Sequence, residues 1–213
     1  MAEEDLDYEG GTFSVKGAPD KARTVAALAF SAWTAHNLPD GMEPGFEETA
    51  VYDPANFVFP YGAHICAVEV DTETGEVKVA KYVAVDDVGL VINPQIVEGQ
   101  VVGGVIQGIA EALLEEAVYD ENGQLLSSSM TNYEIPAASD VPSITIGRGP
   151  GLLSNSNELG VKGVGETGTI ASPPAVLNAV IDALTVYGIT DIGRPVTPER
   201  VWRAIRDAKG GAQ

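Results

Sequence analysis

Between Asn93 and about Glu116 the sequence reads as one helix that carries four glycines, Gly99, Gly103, Gly104 and Gly108. Asn93 suits the cap, and Pro94 falls in the first turn, where its missing N–H is not needed. Each glycine costs a helix up to ~1 kcal/mol relative to alanine, so four in one element need a compensating close contact. Residues 100, 103, 104, 107 and 108 are expected to share a face, which puts bare backbone beside Gln100 and Gln107. Something must therefore pack very close to that face, and the pattern alone does not say what.

Around this helix the chain alternates hairpins and helices. Residues 1–20 read as short polar stretches without a core of their own. Asp20 is placed to cap a helix over about 21–36, with Val25, Leu28, Ala29, Ala32 and Trp33 as its apolar stripe. Residues 38–60, rich in proline and aromatics, read as an extended connection. A hairpin follows: residues 64–70 form a buried strand, 71–75 the turn, and 76–85 return with Val77, Val79, Val83 and Val85 on one face. A second hairpin pairs 117–120 with 124–129 across Glu121-Asn122-Gly123. Residues 137–160 read as loop. A helix capped by Ser172, with Pro173 in its first turn, and a last helix opening at Thr197-Pro198 complete the chain. The class is α+β, mixed sheets built from β-hairpins with packed helices. Residues 1–60 form an N-terminal helix and connection, and 61–213 the main domain.

Composition excludes several functions. With 12 Lys and Arg against 31 Asp and Glu, the net charge is −19, unsuited to binding nucleic-acid phosphates or anionic membrane surfaces. No uninterrupted apolar, uncharged run of membrane-spanning length is present, and the acidic first residues do not form a signal pattern. A cytoplasmic location is the expectation. Cys66 is the single cysteine and the histidines are His36 and His64, so no intramolecular disulfide forms and no metal ligand set is assigned to this chain. His64, on an apolar strand, reads as structural, His36 as a surface residue, and Glu111, Glu115 and Glu116 as a solvated helix face.

The segment richest in chemistry is Lys162-Gly163-Val164-Gly165-Glu166-Thr167-Gly168-Thr169. Gly163, Gly165 and Gly168 spell a G-x-G-x-x-G, but the polar residues 154–160 before it do not make the buried strand that a dinucleotide fold requires. Glu166 would also place a carboxylate in the pyrophosphate site. What remains is a glycine-rich loop that presents one carboxylate near a helix N-terminus, either as a solvated turn or as a functional loop.

Residues 161–168 resemble the active-site signature of the xanthine oxidase family, in particular its carbon monoxide dehydrogenase-like large subunits. Residues 86–94, 98–108 and 115–120 agree in order and spacing, as do Pro44-Gly45-Phe46-Glu47 and Tyr52-Asp53-Pro54. Val88 departs from the pattern, standing where many relatives have cysteine. The resemblance implies a molybdenum cofactor-binding domain in a molybdenum-dependent oxidoreductase. Its molybdenum is held by a molybdopterin, in the cytosine dinucleotide form, and not by protein side chains. The implied reaction is hydroxylation of a small electron-poor substrate with oxygen from water. Carbon monoxide, aldehydes and N-heterocycles are all substrates within the family.

Glu166 corresponds to the family's catalytic base, and Gln107 to a glutamine that hydrogen-bonds the cofactor. Gly103 and Gly104 are then the bare surface a pterin approaches, and Lys162, Gly163, Val164 and Gly165 lie near its pterin or phosphate end. The resemblance further implies partners: the remainder of the molybdenum subunit, an iron–sulfur subunit and an FAD subunit, in an oligomeric assembly. The matched region begins deep inside the family's subunit, which fits a subunit encoded in pieces or an expressed fragment. The rival reading is a non-catalytic assembly module that kept the fold; it has no need of Glu166 in that loop.

Overall fold

The computed structural model describes residues 2–54 and 56–210, which fall into two compact units, Met1–Asp53 and Pro54–Gln213.

The first unit contains a three-stranded antiparallel sheet, β1 (Leu6–Glu9), β2 (Thr12–Val15) and β3 (Ala18–Thr24), followed by helix α1 (Val25–Thr34). These strands fall largely where polar stretches without a core are expected, and the helix starts at Val25 and not at the expected residue 21. Gly10 and Gly11 both take positive φ, 55° and 78°, the backbone a two-residue hairpin turn demands. β3 then consumes Asp20 and Lys21, so the helix cap passes to Thr24, whose Oγ1 accepts from Ala27 N–H at 3.2 Å. Of the expected stripe, Val25, Leu28, Ala29 and Ala32 are half-buried, whereas Trp33 is exposed.

The second unit is built on a hairpin of β4 (Tyr61–Val70) and β5 (Val77–Asp87), extended by β6 (Ile144–Arg148) running parallel to β5. The pairing shifts between Ala67 and Val68, leaving Ala80 as an extra residue on β5. Such a bulge moves every later side chain to the opposite face. Val77 and Val79 therefore point into the core before it, and Tyr82 and Ala84 after it, while Val85 turns outward. The expected single face of four valines is thus broken after the second. β6 falls in a segment expected to be loop; its five residues alternate around Ile144 and Ile146 and gain strand character from pairing with β5.

Helices α2 (Pro94–Leu113) and α3 (Thr167–Leu184) cross each other and cover one side of the sheet, and α4 (Pro198–Gly210) closes the core. Asn93 caps α2 as expected, its Oδ1 accepting from Ile96 N–H. α3 begins at Thr167, not after Ser172, so Pro173 and Pro174 sit inside the helix. Their missing N–H groups remove two of the usual i→i−4 bonds, and packing against α2 holds the segment helical instead. Val101, Val105 and Ile109 of α2 meet Val176, Val180 and Leu184 of α3, Val201 and Ile205 of α4, and Tyr82 and Ala84 of the sheet. By length and composition α2 and α3 could each cross a membrane; in this fold they are the helices of that core.

His64 is satisfied on both ring nitrogens, by the Tyr82 hydroxyl at 2.9 Å and the Asp86 carboxylate at 3.1 Å. Burial, with Cys66 and Asp86 nearby, pushes the Tyr82 phenol above its ordinary range. The expected second hairpin is a short one, a single bridge between Tyr119 and Leu125.

Candidate functional site

The carboxyl end of β5 organises the loop that carries Glu166. Val88–Leu90 lie antiparallel to residues 160–162: Lys162 N–H donates to the Val88 carbonyl at 2.9 Å and Leu90 N–H to that of Gly160 at 3.2 Å. Asn157 brackets the same segment, donating to the Val161 carbonyl at 3.0 Å and accepting from Val161 N–H at 3.1 Å. Beyond Lys162 the chain turns free. Gly163, Gly165 and Glu166 are exposed, and Val164 is the one loop side chain packed against the core. Glu166 stands immediately before the first residue of α3 and its carboxylate makes no capping bond. Its main-chain carbonyl accepts from Ile170 N–H at 3.0 Å. The loop thus offers an exposed carboxylate from a backbone fixed at both ends.

Helix α2 lies beneath this loop and divides its glycines between two faces. A methyl group at Gly104 would sit 2.9 Å from Thr169 N and 3.0 Å from Gly168 Cα, and one at Gly108 would collide with Ser172 and Pro173. These two glycines are covered by α3. Gly99 and Gly103 have nothing within 4 Å of a Cβ position, and both are exposed together with Gln100 and Gln107. Gly103 and Gly104, expected on one face, are about 100° apart on the helix, Gly104 against α3 and Gly103 open. Gln100 reaches the loop, its Oε1 3.7 Å from the Cβ position of Gly165. The hydroxyls of Thr167 and Ser172 are buried without a hydrogen-bond partner.

Lys162 turns inward. Its ammonium pairs with Asp87 at 2.9 Å, with side chains 10% and 0% exposed, and lies 4.7 Å from the centre of the Tyr61 ring. Asp87 also accepts from Gly89 N–H at 3.0 Å and Leu152 N–H at 2.9 Å. Nothing in the sequence alone singled out Asp87, because its partner lies 75 residues away. The Lys162 hydrogen bond, with those backbone donors, holds the Asp87 carboxyl well below the usual carboxylate range. A folded-state pKa below the unfolded one adds stability above the unfolded value, near about 4, and loses it as pH falls below that. The stability of the chain is therefore expected to decline in acid below about pH 4, with a shallower decline in Asp87→Asn. Denaturant midpoints measured across that range check this, and parallel curves would count against it.

A family model described as a molybdopterin cofactor-binding domain matches residues 1–142. The chain is 38% identical over 209 residues to a carbon monoxide dehydrogenase large chain of Hydrogenophaga pseudoflava, covering 96% of this chain and 25% of that protein. It is 42% identical over 208 residues to a nicotine 6-hydroxylase large subunit of Paenarthrobacter nicotinovorans, with coverage of 96% and 25%. The solved structure of quinoline 2-oxidoreductase from Pseudomonas putida 86 aligns with a TM-score of 0.87 at 40% identity, over 97% of this chain and 26% of that one. The chain spans about a quarter of the length of these relatives.

Proposed function

We propose that this chain, which belongs to the molybdopterin cofactor-binding domain family, forms one wall of the cofactor site in the large subunit of a molybdenum hydroxylase, with Glu166 as the base. The observation that carries the reading is the pairing of two exposed features. One is the bare strip of α2 at Gly99 and Gly103 beside the amide of Gln107; the other is the carboxylate of Glu166 at the head of α3.

The residues present fit a molybdopterin. A strip without Cβ atoms admits a flat ring system, and the primary amides of Gln100 and Gln107 supply both donors and acceptors to a pterin's polar edge. Among the described residues no three His, Cys, Asp or Glu converge, and the donor set on offer suits an organic ligand that brings its own metal. When bound, the cofactor supplies the two-electron redox chemistry. Glu166 takes up a proton at its carboxylate, the role of a general base positioned within reach of the reacting group. Gln107 holds the cofactor by hydrogen bonding. Gly163 and Gly165 leave the loop backbone open to it, whereas the ammonium of Lys162 is engaged by Asp87 and acts through the loop. The remaining large-subunit sequence, an iron–sulfur subunit and an FAD subunit complete the proposed assembly, in the cytoplasm.

This reading makes the 213-residue chain inactive alone. It also accounts for the apolar side chains left in solvent, Phe57 at 83%, Met130 at 72% and Ile92 at 70% exposure, since large exposed apolar surface seeks a partner. The purified chain is expected to self-associate in light scattering and to hold no stoichiometric molybdenum. Co-expression with the rest of a large subunit should restore metal and dye-linked dehydrogenase activity. In that assembly Gly103→Val should lower molybdenum content without lowering the melting temperature of the chain. Glu111→Gln, which breaks only the exposed pair with Arg194, should be silent. Equal molybdenum in both variants would remove the α2 strip from the site.

A further inference from the structure

We propose that Asp87 is a positioning residue for Glu166, acting through Lys162 to fix the near end of the catalytic loop. The proposal rests on the reading of Glu166 as the base, and it concerns how that carboxylate is held.

A segment with glycine at 163 and 165 has little conformational preference of its own, so its ends decide where residue 166 points. The far end is fixed by the first turn of α3 against Gly104. The near end is Lys162, whose ammonium is anchored to a carboxylate with no exposed surface. That carboxylate gathers separate pieces of chain: Gly89 after β5, Leu152 in the loop after β6, and Lys162 itself, at 3.0, 2.9 and 2.9 Å. Tyr61, at the start of β4, adds its hydroxyl at 3.4 Å and its ring under the ammonium. The hydrogen bonds of the Asp87 carboxylate thus tie Lys162 to three other segments of the chain. A buried ion pair is a poor way to gain stability, since apolar replacements often serve as well or better. Its directionality is what distinguishes it: an apolar contact lets Lys162 slide, whereas a charge bonded on several sides specifies one register. Four residues later, a small shift at Lys162 becomes a misplaced base, and displacements of about 1 Å can cost about 10²-fold in rate.

The test compares Asp87→Asn, Lys162→Met, Glu166→Gln and the control Arg203→Gln, which removes an exposed pair on α4, in the assembled large subunit. Asp87→Asn is expected to lower kcat by about tenfold or more with KM within about threefold, molybdenum content retained, and Arg203→Gln unchanged. Hydrogen exchange on the 213-residue chain supplies a readout independent of turnover. Asp87→Asn and Lys162→Met should both speed exchange at residues 160–167 while α2 and β4 stay protected. The double variant Asp87→Asn, Lys162→Met should be better folded than Lys162→Met alone, because it leaves no unpaired buried charge. Wild-type kcat and wild-type exchange at residues 160–167 in Asp87→Asn overturn the proposal, as does faster exchange spread evenly over the whole unit. If Asp87→Asn does not assemble, the exchange pattern of Lys162→Met decides in the same way. An active Glu166→Gln would dismiss the base assignment, and the exchange experiment would still decide whether Asp87 fixes the loop.

Discussion

Replacement of Glu166 by glutamine should reduce turnover of the assembled enzyme by on the order of 10²–10⁴-fold, the range over which a positioned general base contributes. That corresponds to about 3–5 kcal/mol of barrier. Glutamine preserves length, planarity and one acceptor oxygen and removes the basic site. The fold gives no reason for an indirect effect. The Glu166 carboxylate is exposed and makes no capping bond to α3, and what the residue contributes to the helix is its main-chain carbonyl. Melting temperature and molybdenum content should therefore match the wild type while kcat falls. Turnover within a few-fold of wild type would end the assignment of Glu166 as base. Loss of molybdenum with loss of turnover would instead make the residue part of the cofactor's grip.

The parts of this fold that were legible in the sequence are those whose determinants are local. Asn93 and Pro94 announce α2, Thr197 and Pro198 announce α4, and the apolar run ending at Val70 with Gly75 in the turn announces the central hairpin. The parts that were not legible depend on partners distant in sequence. Ile144–Arg148 is too short and too polar to declare itself until β5 pairs with it. The extra residue Ala80 can be seen only when β4 sets the register. Pro173 and Pro174 pulled the expected start of α3 forward, because an isolated helix avoids interior proline; close packing on Gly104 and Gly108 supports the earlier start. At the site, Glu166 and Gln107 were singled out through family resemblance, and the glycines of α2 through their helical cost. Their division into a covered pair and an open pair needed α3 in place. Asp87 carried no local signal, since an acidic pair at the end of a strand reads as a solvated turn.

That division gives the second large effect, at Gly168. A β-carbon added there would meet the carbonyl oxygen of Val101 at 2.5 Å, the amide nitrogen of Val105 at 2.7 Å and the carbonyl carbon of Gly104 at 2.9 Å. All three are backbone atoms of α2, and none can rotate aside as a side-chain tip can. Relief requires the two helices to separate where Gly104 and Gly168 let them approach, and the contacts of Val101 and Val105 with the rest of the core loosen with them. Overpacking of this kind costs about 1–3 kcal/mol, and more when rigid groups collide. For Gly168→Ala about 3 kcal/mol is expected, a fall in melting temperature of roughly 6–12 °C for a unit of this size. Gly103→Ala is the matched comparison. It lies on the same helix one residue from Gly104, meets nothing within 4 Å, and should gain up to ~1 kcal/mol of helix propensity. The two alanines should therefore shift the melting temperature in opposite directions. Gly168 also follows Glu166 by two residues, so the displaced helix start should lower turnover in Gly168→Ala even under conditions where the variant is fully folded. Equal melting temperatures for the two variants would mean that α2 and α3 do not meet through bare backbone, and the far end of the Glu166 loop would then lose its anchor.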